Sequence, residues 1–398
     1  METVKLYEKD VYIAEFQAKV VACRREDDRI LAALDQTAFF PEGGGQPADT
    51  GTLGDALVLD VQEKDGVIWH TVSAELTPGE TVVGTLDFRW RRRNMQNHTG
   101  EHIVSGIVHR AFGYDNVGFH MGEDAVTVDF NGPITEEQLA EIEEAANDAV
   151  EQNLPVQVSY PDREELETLD YRSKKEISGQ IRIVTIPGVD VCACCGTHVS
   201  ATGEVRLIKL LSVQNYKGGV RIAMLCGQDA IEDYQRKHAW ITEAMHLLSA
   251  KPENVCGRIR KLLEEIHELK GQLMETQKKL AKERLDAIAE GTEFVCLRGE
   301  DFGENELREL VNQACGKAGC VLALTAAPSG ACRYILASKK TDVREIGREL
   351  NERFGGKGGG SQAMVQGTLT SIPDQNPDEI RAYVAQRVLQ FSMCADLD

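Results

Sequence analysis

The apolar positions of the first 88 residues follow the two-residue period of β-strands. Short apolar runs such as VYIAEFQAKVVAC and ETVVGTLDF are separated by Gly, Asp and Pro. Strands of this length and spacing are typical of a small antiparallel barrel. Because the run FFPEGGGQP also falls here, the pattern predicts a glycine-rich β-barrel over residues 1–88.

A helical period replaces the strand period after residue 88. Apolar residues recur at helical spacing through 95–112 and again through the acidic stretch 135–153, where Thr135 is a suitable N-cap. Short strands are expected at 155–160, 181–186, 204–213 and 219–226. Residues 89–228 are therefore predicted to form one α+β domain.

Two further segments complete the expected architecture. From Ile259 to Leu280 apolar residues recur at alternating spacings of three and four, a seam of about three heptads. This seam predicts a helical coiled-coil arm over 229–290, formed within one chain or between two chains of a homodimer. Alternating strand and helix patterns predict an α/β domain over 291–398. The expected fold class is thus α+β and multidomain.

Composition and charge narrow the class of protein. Apolar residues make up 42% and charged residues 27% of the chain, as in globular proteins. The start METVKLYEKDVY has no apolar signal region and no stretch approaches ~18 apolar residues, so a cytoplasmic protein without a membrane segment is expected. The 44 Lys and Arg against 64 Asp and Glu give a net charge of −20, which disfavours a non-specific nucleic-acid coat.

Basic side chains are nevertheless clustered at one place. Arg91, Arg92 and Arg93 come directly before a pair of histidines. They are candidate nucleic-acid contacts, and the alternative is a solvated charged face.

Two pairs of residues have the spacing of metal ligands. His98 and His102 lie four residues apart on a predicted helix, so that both rings project from one face. Cys194 and His198 form a second pair, and the three histidines with one thiol suit one Zn²⁺ ion. Cys192 is a competing thiol in this cluster. Without an export signal, the other cysteines among the 11 are expected to be mostly reduced.

Two glycine-rich segments are candidates for ligand contact. Gly43, Gly44 and Gly45 permit positive φ and close backbone approach, and Gln46 adds an amide. The alternative is a flexible hairpin tip. Near the other end, five glycines surround Lys357 after a predicted helix at 341–354. They exceed the need of a helix cap and are candidates to hold an anion or an RNA backbone.

Three motifs together carry a family resemblance. The runs FFPEGGGQPADTG, NHTGEH and CCGTH, in this order and separation, resemble the editing domain of alanyl-tRNA synthetase and the free-standing alanyl-tRNA editing proteins. The arm and GGKGGG resemble the DHH-associated domain of the long form. The family motif usually reads Cys-Gly-Gly-Thr-His, whereas Cys195 stands at the first glycine here.

The resemblance implies a substrate and a reaction. It implies hydrolysis in trans of tRNA(Ala) charged with the wrong amino acid, serine or glycine, without aminoacylation. It further implies that Thr37 contacts a serine hydroxyl, and that residues 291–398 bind tRNA or dimerise the protein.

Two other functions remain open at the level of the sequence. One is an RNA-binding module in which the zinc is purely structural. The other is a zinc or redox sensor built on Cys192, Cys194 and Cys195, because clustered thiols in a reducing compartment indicate metal or redox chemistry.

Overall fold

The computed structural model describes residues 2–173, 180–326, 331–370 and 377–395. The chain separates into two compact units, 1–244 and 245–398. The expected α+β multidomain class is confirmed, and the finer boundaries at 88, 228 and 290 stay predictions. Among the described residues, none of the helices combines the length and apolar character needed to cross a lipid bilayer.

The first unit begins with a closed barrel. The strands of this region are β1 (Val4–Lys5), β2 (Glu15–Glu26), β3 (Arg29–Leu34), β4 (Gln36–Thr37), β5 (Gly51–Leu53), β6 (Ala56–Lys64), β7 (Val67–Val72) and β8 (Thr81–Leu86). Strands β1 and β4 form a separate parallel pair. The barrel closes in the order β2-β3-β7-β6-β5-β8. Phe16, Ala18 and Val20 of β2 are buried while the residues between them are exposed. This alternation places one face of each strand in the barrel core.

A long helix and two sheets complete the first unit. The elements are α1 (Phe88–Phe112), β9 (Asn116–Met121), β10 (Val126–Phe130), α2 (Glu136–Glu151), β11 (Gln157–Ser159), α3 (Arg163–Thr168), β12 (Ile183–Ile186), β13 (Asp190–Ala193), β14 (Ile208–Tyr216), β15 (Gly219–Cys226) and α4 (Gly227–Leu248). One sheet has the order β14-β15-β10-β9 and the other the order β11-β12-β13.

Helix α1 positions the residues on which the site depends. The Asp87 side chain caps it by accepting hydrogen bonds from the amides of Arg89 and Trp90. Gly113 ends it in the left-handed conformation, with φ of 69°. Its buried residues include Val104 and belong to the same apolar cluster as the sheet residues. The helix is therefore fixed at both ends and along its length.

The second unit is a sheet packed with helices. Its elements are α5 (Val255–Asp286), β16 (Thr292–Arg298), α6 (Glu304–Ala314), β17 (Ala318–Ala326), β18 (Cys332–Ser338), α7 (Arg344–Arg353), β19 (Lys357–Gly360), β20 (Met364–Leu369) and α8 (Pro377–Ala395). The sheet order is β16-β17-β18-β20-β19, and only the β16–β17 pairing among these is parallel.

The heptad seam lies on the exposed face of α5. Ile266, Leu269 and Leu273 are each about half exposed in the single chain, at 47%, 62% and 56%. A helix is thus present where the arm was predicted, and the coiled-coil partner and the homodimer stay predictions.

The glycines around Lys357 form a strand instead of the expected loop. Strand β19 pairs antiparallel with β20, from Lys357 opposite Thr368 to Gly360 opposite Val365. The segment after α7 is therefore the edge strand of a sheet and not a loop, and its binding of an anion or an RNA backbone stays a prediction. Lys357 itself is exposed at the first position of the strand.

Candidate metal centre

Two chain segments bring four potential ligands together. His98 and His102 project one turn apart from α1, and Cys194 and His198 lie in the segment that follows β13. One nitrogen or sulfur atom from each lies within 4.8 Å of those of the others. Cys194 Sγ lies 3.3 Å from His98 Nε2 and 3.4 Å from His198 Nε2. The structure thus groups the four residues singled out in the sequence.

Each imidazole of this cluster has a hydrogen-bond partner at Nδ1, on the side of the ring away from the cluster. His98 Nδ1 lies 2.9 Å from Gln46 Oε1, and His102 Nδ1 lies 2.8 Å from Asp190 Oδ2. Because both partners are acceptors, these Nδ1 atoms carry the proton and Nε2 offers its lone pair to the cluster. Such supporting hydrogen bonds are the rule behind metal-bound histidines.

The third histidine has a neutral supporting group. His198 Nδ1 lies 3.3 Å from the hydroxyl of Thr99, which also accepts a hydrogen bond from the amide of Val199. Thr99 comes directly after His98 on α1, so the helix also orients the ring that arrives from the other segment.

Burial and neighbouring rings set the charge of two ligands. Burial raises the pKa of the Cys194 thiol, but the adjacent His98 and His198 lower it well below its usual range. Burial, together with the neighbouring His98 ring, lowers the pKa of His198 to about 3. A thiolate and a neutral imidazole are the forms that bind metal ions.

His102 differs because it faces a carboxylate. Burial lowers its pKa, but the hydrogen bond to Asp190 raises it well above the usual range. Asp190 also pairs with Arg172, at 2.8 Å between Nε and Oδ1. A metal at this ring therefore competes with a proton.

The two other clustered thiols lie differently. Cys192 is buried and forms a separate group with His102 and Asp190, within the same 4.8 Å limit. Cys195 is exposed. Among the thiols of this cluster, Cys194 is the one grouped with all three histidines. Three nitrogens and one sulfur are ligand types that suit zinc, so these residues fit the ion.

Gly196 permits the close approach of the two segments. A side chain at this position would overlap the His98 ring. Glycine between Cys194 and His198 is therefore required by space.

The glycine-rich turn of the barrel lies beside α1. Gly43 and Gln46 exchange backbone hydrogen bonds of 3.0 Å, and Gly44 and Gly45 have φ of 60° and 85°. A side chain on Gly45 would stand 2.6 Å from the Phe119 ring. Phe119 in turn packs against His98, with 5.2 Å between ring centroids.

Gln46 has a role that the sequence did not indicate. Its Oε1 accepts from His98 Nδ1 and from the amide of Thr197, and its Nε2 donates to the Thr197 hydroxyl at 2.9 Å. The side chain is fully buried. The structure places this amide behind the His98 ring, whereas the sequence predicted a substrate contact.

Gln46→Leu is expected to weaken zinc binding by about 10–100-fold, because a hydrogen bond behind a ligating histidine contributes on that scale. The measurement is a competition titration with a chromophoric chelator. Thr197→Val is the matched control, since it removes a partner of Gln46 while Gln46 still faces His98. Equal affinities for wild type and Gln46→Leu would contradict the supporting role.

Thr37 lies in the barrel core with its hydroxyl engaged. Its Oγ1 lies 2.9 Å from His70 Nε2 and accepts from the amide of Phe39 at 3.1 Å. His70 Nδ1 faces the carbonyl of Ala32 at 3.2 Å and therefore carries the ring proton. Burial lowers the pKa of His70 to about 4, so the ring is neutral near neutral pH. The Thr37 hydroxyl consequently donates to His70.

The three clustered arginines have different surroundings. Arg91 is fully buried and forms an ion pair with Asp49, so its prediction as a tRNA contact is wrong. Arg92 is exposed. Arg93 is partly buried and pairs with Asp229 at 2.7 Å.

Comparison with known proteins places the chain in a family. Residues 181–223 match the threonyl and alanyl tRNA synthetase second additional domain, and residues 4–90 match the model of class II (A) tRNA synthetases. The alanyl-tRNA editing protein AlaX-L of Pyrococcus horikoshii is 30% identical over 93% of this chain and 96% of its own length. The chain belongs to the alanyl-tRNA editing proteins. The family resemblance found in the sequence is thereby confirmed.

Other relatives of this editing protein fall into two groups. The mouse alanyl-tRNA editing protein Aarsd1 is 28% identical over 92% of this chain and 94% of its own length. The alanine–tRNA ligase of Ignicoccus hospitalis is 34% identical over 89% of this chain, but the match spans only 40% of the ligase. The editing protein thus corresponds to a whole chain in one group and to a part in the other.

Proposed function

We propose that this editing protein is a zinc-dependent hydrolase that acts in trans on mischarged tRNA(Ala). The bond cleaved is the ester that joins serine or glycine to the terminal ribose. The observation that carries the proposal is the group of three histidines and one cysteine, with each histidine supported at Nδ1. The relatives named as alanyl-tRNA editing proteins support the same substrate class.

The ligands proposed for zinc are His98, His102, Cys194 and His198. When bound, zinc supplies a Lewis acid that polarises the ester carbonyl or lowers the pKa of a water molecule. Gln46 holds the ring of His98 in the orientation that this chemistry needs. Asp190 does the same for His102.

Substrate contacts are proposed on the barrel side of the site. Gly43, Gly44 and Gly45 present backbone to a ligand without side chains in the way, and Gly45 lies next to Phe119 beside the cluster. Because the Thr37 hydroxyl donates to His70, a serine hydroxyl that meets it must act as the donor. The Thr37 hydroxyl already accepts from the amide of Phe39, so one acceptor position is left for the serine hydroxyl in the proposed contact.

The second unit is proposed to bind tRNA or to dimerise the protein, with no part in the chemistry. Lys357 is exposed there, so it is free to reach a phosphate as a side chain. A cytoplasmic location and the absence of aminoacylation belong to the same proposal.

One observation favours a second candidate, an RNA-binding protein with a structural zinc. Four protein ligands complete a tetrahedron, which is the pattern of structural zinc sites. In that case the same residues would stabilise the fold without hydrolysing an ester.

Release of amino acid from charged tRNA distinguishes the two candidates. We expect the wild-type chain to release serine or glycine from mischarged tRNA(Ala), to lose this activity with a chelator and to regain it with Zn²⁺. The measurement uses seryl-, glycyl- and alanyl-tRNA(Ala) with radiolabelled amino acids. His98→Ala is expected to lose hydrolysis while circular dichroism shows an intact fold.

One outcome of the same measurement would contradict the proposed hydrolase. A zinc-loaded wild-type chain that binds tRNA(Ala) and releases none of the three amino acids would overturn the hydrolase and favour the structural-zinc candidate.

A further inference from the structure

A cavity of about 800 Å³ lies beside the first turns of α1. Phe88, Trp90 and Arg92 of α1 line one side, and Arg206 and Gln228 line another. Its volume is within the range of ~300–1,000 Å³ that is typical of ligand sites. The metal ligands are not among its lining residues, so it is separate from the cluster of histidines.

Four arginines and four acidic side chains line this cavity, and two of the arginines have no carboxylate partner in the part of the chain that the structure describes. Each acidic side chain of the lining has a partner within the protein: Asp87 caps α1, Glu204 accepts from Tyr12 and Ser200, Asp229 pairs with Arg93, and Glu232 pairs with Arg89. Among the described residues, neither Arg92 nor Arg206 has a carboxylate within 4.0 Å. A guanidinium group without a carboxylate partner is available to donate to a phosphate group.

The backbone of Arg206 indicates that its position is constrained. Its φ of 69° and ψ of −56° lie outside the regions that L-residues ordinarily adopt. Its Nη1 donates to Gln228 Oε1 at 2.9 Å, which holds the side chain at the cavity. Strained backbone of this kind is found mainly at binding and catalytic sites.

Two aromatic rings, Phe88 and Trp90, line the same cavity as Arg92 and Arg206. The Trp90 ring is anchored by a hydrogen bond from Nε1 to the carbonyl of Ala48 at 2.9 Å. The Arg92 guanidinium lies 5.8 Å from the centroid of Phe88. Aromatic faces beside arginines are the usual means of binding unpaired nucleotides, by stacking and by phosphate contacts.

Helix α1 connects this cavity with the cluster of histidines. Arg92 and His98 are separated by six residues, or about 9 Å along the helix axis. Arg93 lines the cavity and donates to the carbonyl of Gly122 at 3.2 Å, next to the strand whose Phe119 packs against His98. A nucleotide in the cavity is therefore close to a group held at the metal centre.

We propose that this cavity binds the single-stranded 3′ end of tRNA, with phosphates on Arg92 and Arg206 and a base against the aromatic rings. The inference rests on the proposed function, because it takes tRNA as the substrate. The cavity would bind the nucleotides that precede the aminoacyl ester.

The test compares salt-dependent binding of uncharged tRNA(Ala) by the full-length wild type and by Arg92→Gln/Arg206→Gln. Each lost phosphate contact on a single strand makes the slope of log K against log salt less steep by about 0.7. We expect a change of about 1.4 for the double variant. The KM for seryl-tRNA(Ala) should rise by about 10-fold or more while kcat stays within about twofold.

Two further variants distinguish the loss of a phosphate contact from a change in net charge and from a loss of stability. Arg25→Gln/Arg163→Gln removes the same charge from exposed arginines outside the cavity lining, and its slope should equal that of wild type. Arg206→Gly relieves the positive φ, so its melting temperature should be equal or higher while its slope still falls by about 0.7.

Several results would overturn the proposal. An unchanged slope and KM in the double variant would do so, as would an equal change in the matched control or absence of tRNA binding by wild type. Failure of the proposed function would give a different result. If the wild type binds uncharged tRNA through Arg92 and Arg206 but releases no amino acid, the proposed binding cavity stands and the proposed hydrolase activity is wrong.

Discussion

Cys194→Ser is expected to abolish both the bound zinc and the deacylation of mischarged tRNA(Ala). The sulfur of Cys194 lies within hydrogen-bonding range of two of the three histidines, and its lowered pKa favours the thiolate that binds metal. A serine hydroxyl stays protonated and is a much weaker ligand. Metal analysis by mass spectrometry and release of serine from seryl-tRNA(Ala) measure the two effects.

Cys192→Ser is the matched control for this change. Cys192 lies two residues away and is buried beside His102, but the group that contains all three histidines excludes it. Burial raises the pKa of its thiol, which disfavours a thiolate there. We expect this variant to keep about one zinc ion per chain. Loss of zinc in Cys192→Ser with full retention in Cys194→Ser would reverse the assignment of the ligand.

Local spacing was enough to single out the four proposed metal ligands, because the two residues of each pair are separated by four positions. On a helix this separation places His98 and His102 on one face, and the glycine between Cys194 and His198 leaves room for the His98 ring. The supporting residues Gln46 and Asp190 are distant in sequence from the rings they hold. Only the fold brings them together, so no short motif could have predicted their role.

The helical period of the sequence contained the information needed to predict that Arg91 is buried. The sequence predicted the start of the helix at residue 95, whereas α1 begins at Phe88. In the longer helix Arg91, Met95, His98 and His102 follow the spacing of one face, and all four are buried. Extending the helical period backwards would have placed Arg91 inside and Arg92 outside.

Short strands account for much of what the sequence did not predict. Strands β9 and β10 were missed, while the cap of α2 at Thr135 was predicted and is confirmed by a capping box with Gln138. A cap is a local interaction between near neighbours. By contrast, β19 consists of a lysine and three glycines, and its strand character depends on pairing with β20.

Arg91→Ala is expected to lower the free energy of unfolding of the first unit by about 3–5 kcal/mol. The guanidinium donates to Asp49 Oδ2 at 2.9 Å through Nε and to the carbonyl of Val11 at 2.7 Å, and it also contacts the carbonyl of Ala38. Truncation would leave a buried carboxylate and two carbonyls without their donor. The pair therefore fastens α1 to the barrel segments that surround it.

Urea unfolding followed by tryptophan fluorescence measures this effect in the right unit, because all three tryptophans lie within residues 1–244. Arg92→Ala changes the neighbouring exposed arginine and should alter stability by no more than about 0.5 kcal/mol. The double variant Arg91→Met/Asp49→Asn should lose less stability than the sum of its single changes, since it leaves no unpaired buried charge. Equal small losses for Arg91→Ala and Arg92→Ala, or strict additivity in the double variant, would show that Arg91 lies at the surface and would restore it as a candidate for tRNA contact.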